Sequence, residues 1–223
     1  MAGKLIVFEG TDGSGKSTQF GLLCALLEGR GVDFTRLIFP QYDQPSSALI
    51  RMYLGGEFGT RPGDVNPYAA SAFYAVDRYA SWKKVWGEAY RQGGLILADR
   101  YTTSNAVHQA CKLPPDQWED FFRWLSDFEW VKLGLPEPDL VIYLDMPTHR
   151  AVELLRGRES ATHTSGDIHE VDTDYLALCR QTALGAAKCL GWHVISCVDG
   201  TGALRSMEEI HQEVVSLVEP LIL

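Results

Sequence analysis

Residues 4–18 read KLIVFEGTDGSGKST, and this stretch decides the fold. An apolar, strand-like run ends in the pattern G-x-x-x-x-G-K-[ST], which spans Gly10 to Ser17, and apolar residues at helical spacing follow it. Glycines allow backbone N–H groups to point toward phosphate oxygens at the positive end of the next helix, where Lys16 adds a full charge. Strand, loop and helix together predict a phosphate-binding loop for a nucleoside triphosphate.

The predicted phosphate-binding set covers the whole loop and the start of the helix. Its members are Gly10, Thr11, Asp12, Gly13, Ser14, Gly15, Lys16, Ser17 and Thr18. ATP is the expected co-substrate, and Mg²⁺ is the expected cofactor because the Ser17 hydroxyl is placed to ligate it. Asp99, which ends a later apolar run, is the predicted holder of a water in the magnesium shell.

Short β-like runs alternate with longer helical patterns along the chain. The predicted strands are 4–10, 33–40, 93–101, 138–146 and 193–199, and the predicted helices include 17–31, 66–92 and 206–221. Such alternation implies an α/β fold of three layers, with a five-stranded parallel sheet flanked by helices. We expect a single domain over residues 1–223.

One stretch, residues 157–172, differs from the rest of the chain. It lacks apolar periodicity and is rich in serine, threonine, glycine and charged residues, and helical patterns lie on both sides of it. These features predict a mobile flap of the kind that closes over an active site.

Composition limits the partners and the compartment. The formal net charge of −9 argues against nucleic acid or an anionic membrane as a partner, because both demand a basic surface. The five cysteines are scattered without a C-x-x-C pair, which favours buried or half-buried free thiols in a reducing compartment. No apolar run approaches the length of a membrane span, so we expect a cytoplasmic protein.

Two further groups of residues indicate an acceptor site. Asp99, Arg100 and Tyr101 follow the third predicted strand, and ligands of open parallel sheets bind beyond the carboxyl ends of the strands. Arg100 can hold a phosphate bidentately. Tyr74 and Arg78 are four residues apart on one predicted helix, where a ring and a guanidinium suit a planar base with carbonyl edges.

Several segments occur in a characteristic order: EGTDGSGKSTQ (9–19), FPQY (39–42), YAVDR (74–78), DRYTTSNAVHQ (99–109) and LPEPDLVIYLDM (135–146). Together they resemble the thymidylate kinase family of nucleoside monophosphate kinases. The resemblance implies a P-loop kinase fold with a flap called the LID, a homodimer, and transfer of the ATP γ-phosphoryl group to dTMP, which gives dTDP and ADP.

The resemblance also implies a role for individual residues. The acceptor site would comprise Phe39, Pro40, Tyr42, Tyr74, Arg78, Arg100, Ser104, Asn105, His108 and Gln109. Tyr74 would stack on thymine and Arg78 would read a base oxygen. The catalytic residues would be Asp12, Lys16 and Arg100, with a flap arginine, Arg156 or Arg158, because Gly13 stands where one branch of the family carries a catalytic arginine.

The sequence departs from the family pattern at three places in the acceptor site, one of which is Tyr74, where the family has a phenylalanine. Gln41 and Tyr42 stand where many members have an arginine, and His108 stands where bacterial relatives often have a tyrosine near the sugar. Two alternatives therefore stay open. One is a kinase of another acceptor, such as dUMP, another nucleoside monophosphate or a deoxynucleoside, and the other is a non-catalytic ATP-binding module.

Overall fold

The computed structural model describes residues 2–162 and 173–222. The strands are β1 (Lys4–Gly10), β2 (Phe34–Ile38), β3 (Leu95–Asp99), β4 (Leu140–Asp145) and β5 (His193–Ser196). The α-helices are α1 (Lys16–Gly29), α2 (Ala48–Leu54), α3 (Pro67–Ser81), α4 (Gly87–Arg91), α5 (Thr103–His108), α6 (Trp118–Ser126), α7 (Thr148–Thr162), α8 (Thr173–Leu190) and α9 (Met207–Ile222).

The strands form one five-stranded parallel sheet in the order β2-β3-β1-β4-β5. The predicted five-stranded parallel sheet is therefore confirmed. β1 lies at its centre, and its register places Phe8 opposite Asp99 of β3 and Gly10 opposite Leu144 of β4. The phosphate-binding loop after β1 and the Asp99–Arg100 pair after β3 consequently leave the sheet at the same edge.

Alternating side chains of β1 enter two hydrophobic layers, as expected for a strand buried on both faces. Leu5 and Val7 pack in a cluster with α5, α6 and α8, and Ile6 and Phe8 pack in a second cluster with α1 and α9. The aromatic residues Phe121 and Phe122 of α6 belong to the first cluster. Helices therefore cover the sheet on both sides, which gives the three predicted layers.

The long helix predicted at 66–92 is interrupted in the structure. Asn66 caps α3 as expected, since its side chain accepts a hydrogen bond of 2.8 Å from the backbone N–H of Ala69. A π-helical turn at Trp82–Trp86 then separates α3 from α4. This widened turn aligns Trp82 and Trp86 in an edge-to-face contact, with ring centroids 4.5 Å apart.

Part of the predicted flap lies outside the described residues. Helix α7 continues to Thr162, so the first residues of the interval 157–172 are helical, and the remainder, 163–172, is not described. Of the two flap arginines, Arg156 lies on α7 with an exposed side chain, and the side chain of Arg158 lies outside the description.

Candidate active site

A cavity of about 430 Å³ lies above the phosphate-binding loop. Gly13 and Gly15 adopt φ angles of 80° and 81°, which only glycine adopts readily, and this conformation precedes the N-terminus of α1. Every residue of the predicted phosphate-binding set except Gly10 lines the cavity. Gly10 lies below the loop, where an added Cβ would stand 2.4 Å from Oγ of Ser14.

Lys16 and Ser17 both face the carboxylate of Asp99. Lys16 is buried and forms an ion pair with Oδ1 of Asp99, and the Ser17 hydroxyl lies 3.4 Å from Oδ2. Burial and the neighbouring Arg100 lower the pKa of Lys16, and the charge of Asp99 opposes this shift. The structure thus gathers a cation, a hydroxyl and a carboxylate at the start of α1.

Arg100 lies beside this group with a left-handed backbone, at a φ of 68°. Its Nη2 donates a hydrogen bond of 2.7 Å to Asp12, and its Nη1 lies 2.9 Å from Nε2 of His108. Burial acts to lower the pKa of Arg100, but the charges of Asp12, Glu9 and Asp99 raise it above its ordinary value. The guanidinium is therefore a permanent cation at the sheet edge.

His108 has a defined hydrogen-bonding state. Arginine has only donors, so Nε2 of His108 is the acceptor in its contact with Arg100. The ring proton then resides on Nδ1, which lies 3.5 Å from Sγ of Cys179. Cys179 is 3.6 Å from Sγ of Cys111, and both are free thiols.

Of the five cysteines, Cys189 alone is exposed, which differs from the buried or half-buried position predicted for it.

A second cavity, of about 210 Å³, opens beside Arg100. The whole predicted acceptor set lines it, together with Asp12, Leu54 and Tyr101; that set is Phe39, Pro40, Tyr42, Tyr74, Arg78, Arg100, Ser104, Asn105, His108 and Gln109. These residues come from the segments after β1, β2 and β3, from α2 and α3, and from α5 and the residue that follows it. Asp12 lines both cavities, so the two spaces meet at its side chain.

Two buried glutamates support the acceptor cavity, and neither is among the residues predicted from the sequence. Glu9 accepts hydrogen bonds from the hydroxyls of Thr103 and Ser104, at 2.6 and 2.9 Å, and burial raises its pKa against the opposing charge of Arg100. Glu129 accepts from Arg78. The signal for both was a carboxylate between apolar residues, in VFEG for Glu9 and in FEWV for Glu129.

The chain is similar to several known proteins. The family model described as thymidylate kinase matches residues 8–214. The chain belongs to the thymidylate kinase family. It is 34% identical to the thymidylate kinase of Mycobacterium tuberculosis H37Rv over 155 residues, which cover 69% of this chain and 71% of that protein. It is 30% identical to a probable thymidylate kinase of Pyrococcus abyssi over 222 residues, which cover 98% and 97% of the two chains.

A solved structure has the same fold. The thymidylate kinase of Candida albicans superposes with a TM-score of 0.71 at 21% identity, and the match covers 98% of this chain and 92% of that chain. The P-loop kinase fold expected from the sequence is therefore confirmed for this member of the thymidylate kinase family.

The loop after β2 brings one of the departures from the family pattern, Tyr42, to the acceptor cavity. Tyr42 lines the cavity and leaves 49% of its surface exposed. Asp77 of the YAVDR segment holds this loop, because its carboxylate accepts from the backbone N–H of Gln41 at 2.8 Å and from Ser46 at 2.6 Å.

The phosphate-binding cavity also extends to residues that the sequence analysis missed. Its outer part is lined by Met146, Leu154, Leu155, Cys197, Leu204, Arg205, Met207 and Ile210. Arg205 is held by the carbonyl oxygen of Ser196 at 2.8 Å and by Glu213 at 2.9 Å. Arg156 is not among the residues that line either of these two cavities.

Proposed function

We propose that phosphoryl transfer takes place where the two cavities meet, with the ATP phosphates on the loop and the dTMP phosphate at Arg100. As a member of the thymidylate kinase family, the chain is a nucleoside monophosphate kinase that phosphorylates dTMP. We propose the assignment of individual residues to the ATP phosphates and to the dTMP phosphate. The observation that carries it is the position of Asp12, which lines both cavities and binds Arg100. The alternative acceptors and the binding module are not favoured.

On the ATP side, the loop supplies backbone donors and Lys16 supplies charge. The first N–H groups of α1 lack intrahelical partners, and the helix dipole adds a positive potential at the same end. Lys16 is buried and already lies at the N-terminus of α1. Its side chain therefore loses little conformational freedom when a polyphosphate binds in the cavity. The apolar outer part of the cavity, with Arg205, suits the planar base of ATP.

The donor set at Ser17 and Asp99 fits Mg²⁺. Both side chains offer oxygen, the ligand that hard cations prefer, and the two oxygens are 3.4 Å apart. Mg²⁺ is usually bound by one or two protein oxygens together with substrate phosphates, and the described residues contain no cluster of histidine, cysteine and acidic side chains that could hold a metal alone. When bound, the ion would neutralise charge on the transferring phosphates.

The acceptor phosphate needs charge neutralisation more than a general base. Its second pKa is near 6, so most of it is dianionic at neutral pH and ready to attack. Arg100 is a permanent cation aimed at the junction of the cavities, and Asp12 fixes its position. Arg156 and Arg158 remain the proposed source of the additional cation that would act in the transition state.

The thymine base would occupy the inner acceptor cavity. Tyr74 offers a ring for stacking, and Arg78 and Asn105 offer polar groups at the base edge. The Oε1 atom of the buried Gln109 has no hydrogen-bond partner among the described residues, which leaves an unsatisfied acceptor in the cavity wall. A polar ligand in this cavity can satisfy that atom.

We also propose a homodimer in the cytoplasm. Val76, Tyr79 and Val85 leave 54%, 40% and 56% of their surfaces exposed on α3 and the π turn, which is a surface that a second copy can cover. A Val76→Glu variant would then run as a monomer in light scattering, and unchanged mass would contradict this interface.

Over residues 2–162 and 173–222, no helix is long and apolar enough to cross a membrane. Cell fractionation tests the location.

Release of ADP with ATP and Mg²⁺ tests the assignment. The acceptors compared are dTMP, dUMP, dCMP, dGMP, UMP and thymidine. We expect dTMP to give the highest turnover, Lys16→Ala and Arg100→Ala to reduce it by at least about 100-fold, and Lys4→Ala, at an exposed lysine, to leave it unchanged. Turnover that survives in Arg100→Ala would contradict the position proposed for the acceptor phosphate.

A further inference from the structure

We propose that Glu129 is a positioning residue that makes the acceptor cavity selective for a base with an imide N–H beside a carbonyl oxygen. This inference rests on the proposed function, in which Arg78 and Asn105 face the base. Glu129 itself is fully buried and does not line the cavity. It therefore acts through its two partners.

Glu129 binds Arg78 through both carboxylate oxygens. Nε of Arg78 donates to Oε2 at 2.7 Å and Nη2 donates to Oε1 at 2.5 Å, while Nη1 lies 3.3 Å from the carbonyl oxygen of Tyr101. A buried guanidinium without a carboxylate would be strongly destabilising, so this pair fixes the plane of the arginine. Because arginine has five N–H groups, donors remain for the cavity that Arg78 lines.

The same carboxylate sets the orientation of Asn105. The amide nitrogen of Asn105 donates to Oε1 of Glu129 at 3.2 Å and to the carbonyl oxygen of Ser71 at 3.3 Å. Both partners are pure acceptors, so the amide cannot turn its oxygen toward them without facing oxygen with oxygen. The Asn105 oxygen is therefore the group available to the cavity.

The cavity wall thus presents a donor from Arg78 next to an acceptor from Asn105. A thymine or uracil edge carries a carbonyl oxygen next to an imide N–H, which is complementary to this pair. A cytosine edge carries an amino group next to an unprotonated ring nitrogen, so it would place donor against donor and acceptor against acceptor. A carboxylate offers only acceptors, so it can bind the N–H groups of Arg78 and Asn105 at the same time. Glu129 thereby keeps both side chains in the orientation that favours the thymine or uracil edge.

Two substitutions of Glu129 test this inference, with Asp139→Asn as the matched control. Glu129→Gln places an N–H against a donor of Arg78 or Asn105, and Glu129→Asp withdraws the carboxylate by one methylene from one of them. Asp139 is a carboxylate that binds Lys4 and the backbone of Leu5 at the other end of β1. Values of kcat/KM are measured for dTMP, dUMP and dCMP, and circular dichroism checks that each variant folds.

We expect the dCMP-to-dTMP ratio of kcat/KM to rise about tenfold or more in Glu129→Gln, and less in Glu129→Asp. The dUMP-to-dTMP ratio should stay within about twofold in both, because the two bases share the imide edge. A folded variant in which all acceptors fall by the same factor, or in which the ratios equal those of Asp139→Asn, overturns the inference. If Glu129→Gln does not fold, Glu129→Asp decides.

A separate measurement on the unmodified protein distinguishes a failure of the proposed function from a failure of the inference about Glu129. The acceptor N3-methyl-dTMP lacks the imide N–H but keeps the rest of dTMP. If the base faces Arg78 and Asn105, this compound should be phosphorylated at least about tenfold less efficiently than dTMP. Equal efficiency would mean that the base does not bind against these residues, whatever the Glu129 variants show.

Discussion

Nη2 of Arg100 lies 2.7 Å from Oδ1 of Asp12, and this ion pair spans the junction of the two cavities. Asp12 comes from the loop after β1, and Arg100 comes from the turn after β3. The two strands are paired in parallel, so their carboxyl ends bring the residues together although they are far apart in sequence. The left-handed backbone of Arg100 carries local strain at the position from which its guanidinium reaches the junction of the two cavities.

The Asp12→Asn substitution should lower kcat for dTMP by about tenfold to 100-fold. An amide keeps one hydrogen bond to Arg100 but loses the charge that holds the guanidinium in place, and misplacement of a reacting group by about 1 Å can cost 100-fold. Steady-state kinetics with saturating ATP provide the measurement. Asp116→Asn, at an exposed aspartate on the protein surface, should keep the full rate. Equal effects of the two substitutions would contradict a specific contribution of Asp12.

Much of this junction follows from the sequence for a physical reason. A phosphate-binding loop depends on local backbone geometry, so the spacing of Gly10, Gly15 and Lys16 is visible in a short window. The placement of Asp99 and Arg100 follows from strand order, because parallel strands end at one edge. Motifs that follow neighbouring parallel strands can therefore be assigned to one site from the amino-acid sequence alone.

The residues that the sequence analysis missed are those whose partners are set by tertiary packing. Glu129 lies in a π-helical segment and meets Arg78 of α3 across the interior, a contact that no spacing rule encodes. Arg205 reaches the phosphate-binding cavity only because the segment after β5 folds over it. The π turn at Trp82–Trp86 was missed because its residues keep an ordinary helical pattern.

Tyr74 should contribute to dTMP binding through its ring and not through its hydroxyl. Stacking of a base on an aromatic side chain is worth about 1–3 kcal/mol, so Tyr74→Ala should raise the KM for dTMP about fivefold to 150-fold with little change in the KM for ATP. Tyr74→Phe keeps the ring and is the matched control, with a KM within about twofold of the original. A loss of affinity in Tyr74→Phe as large as in Tyr74→Ala would show that the hydroxyl matters.

Arg205 should contribute to the binding of ATP and not to the binding of dTMP. It lines the outer part of the phosphate-binding cavity and is held in position by Ser196 and Glu213. A guanidinium beside an aromatic ring contributes about 0.5–2 kcal/mol, so Arg205→Gln should raise the KM for ATP about twofold to 30-fold. Arg123→Gln, which removes an exposed arginine of α6, should change neither KM. An increase in the KM for dTMP alone would place Arg205 outside the ATP site.

Lys112 should make the stability of the protein depend on pH in the alkaline range. Its ammonium donates to the Tyr53 hydroxyl at 2.9 Å and to the carbonyl oxygen of Val65 at 3.1 Å, so it connects α2 and the following segment to the turn after α5. Burial lowers the pKa of Lys112 to about 8, against the opposing effect of Cys111 and Cys179. In the unfolded chain the pKa returns to about 10.4.

The sign of the effect follows from proton binding. Between about pH 8 and pH 10.4 the folded protein has released the Lys112 proton and the unfolded chain still holds it, so this group makes the free energy of unfolding rise with pH. Below pH 8 both states are protonated and the contribution is flat. The free energy of unfolding of the original protein and of Lys112→Met is therefore measured with urea at pH 7, 8, 9 and 10. Above pH 8 the value for the original protein should rise relative to that for Lys112→Met. Lys132→Met, at an exposed lysine, should show a constant difference. A constant difference for Lys112→Met as well would mean that the lysine keeps its proton in the folded protein.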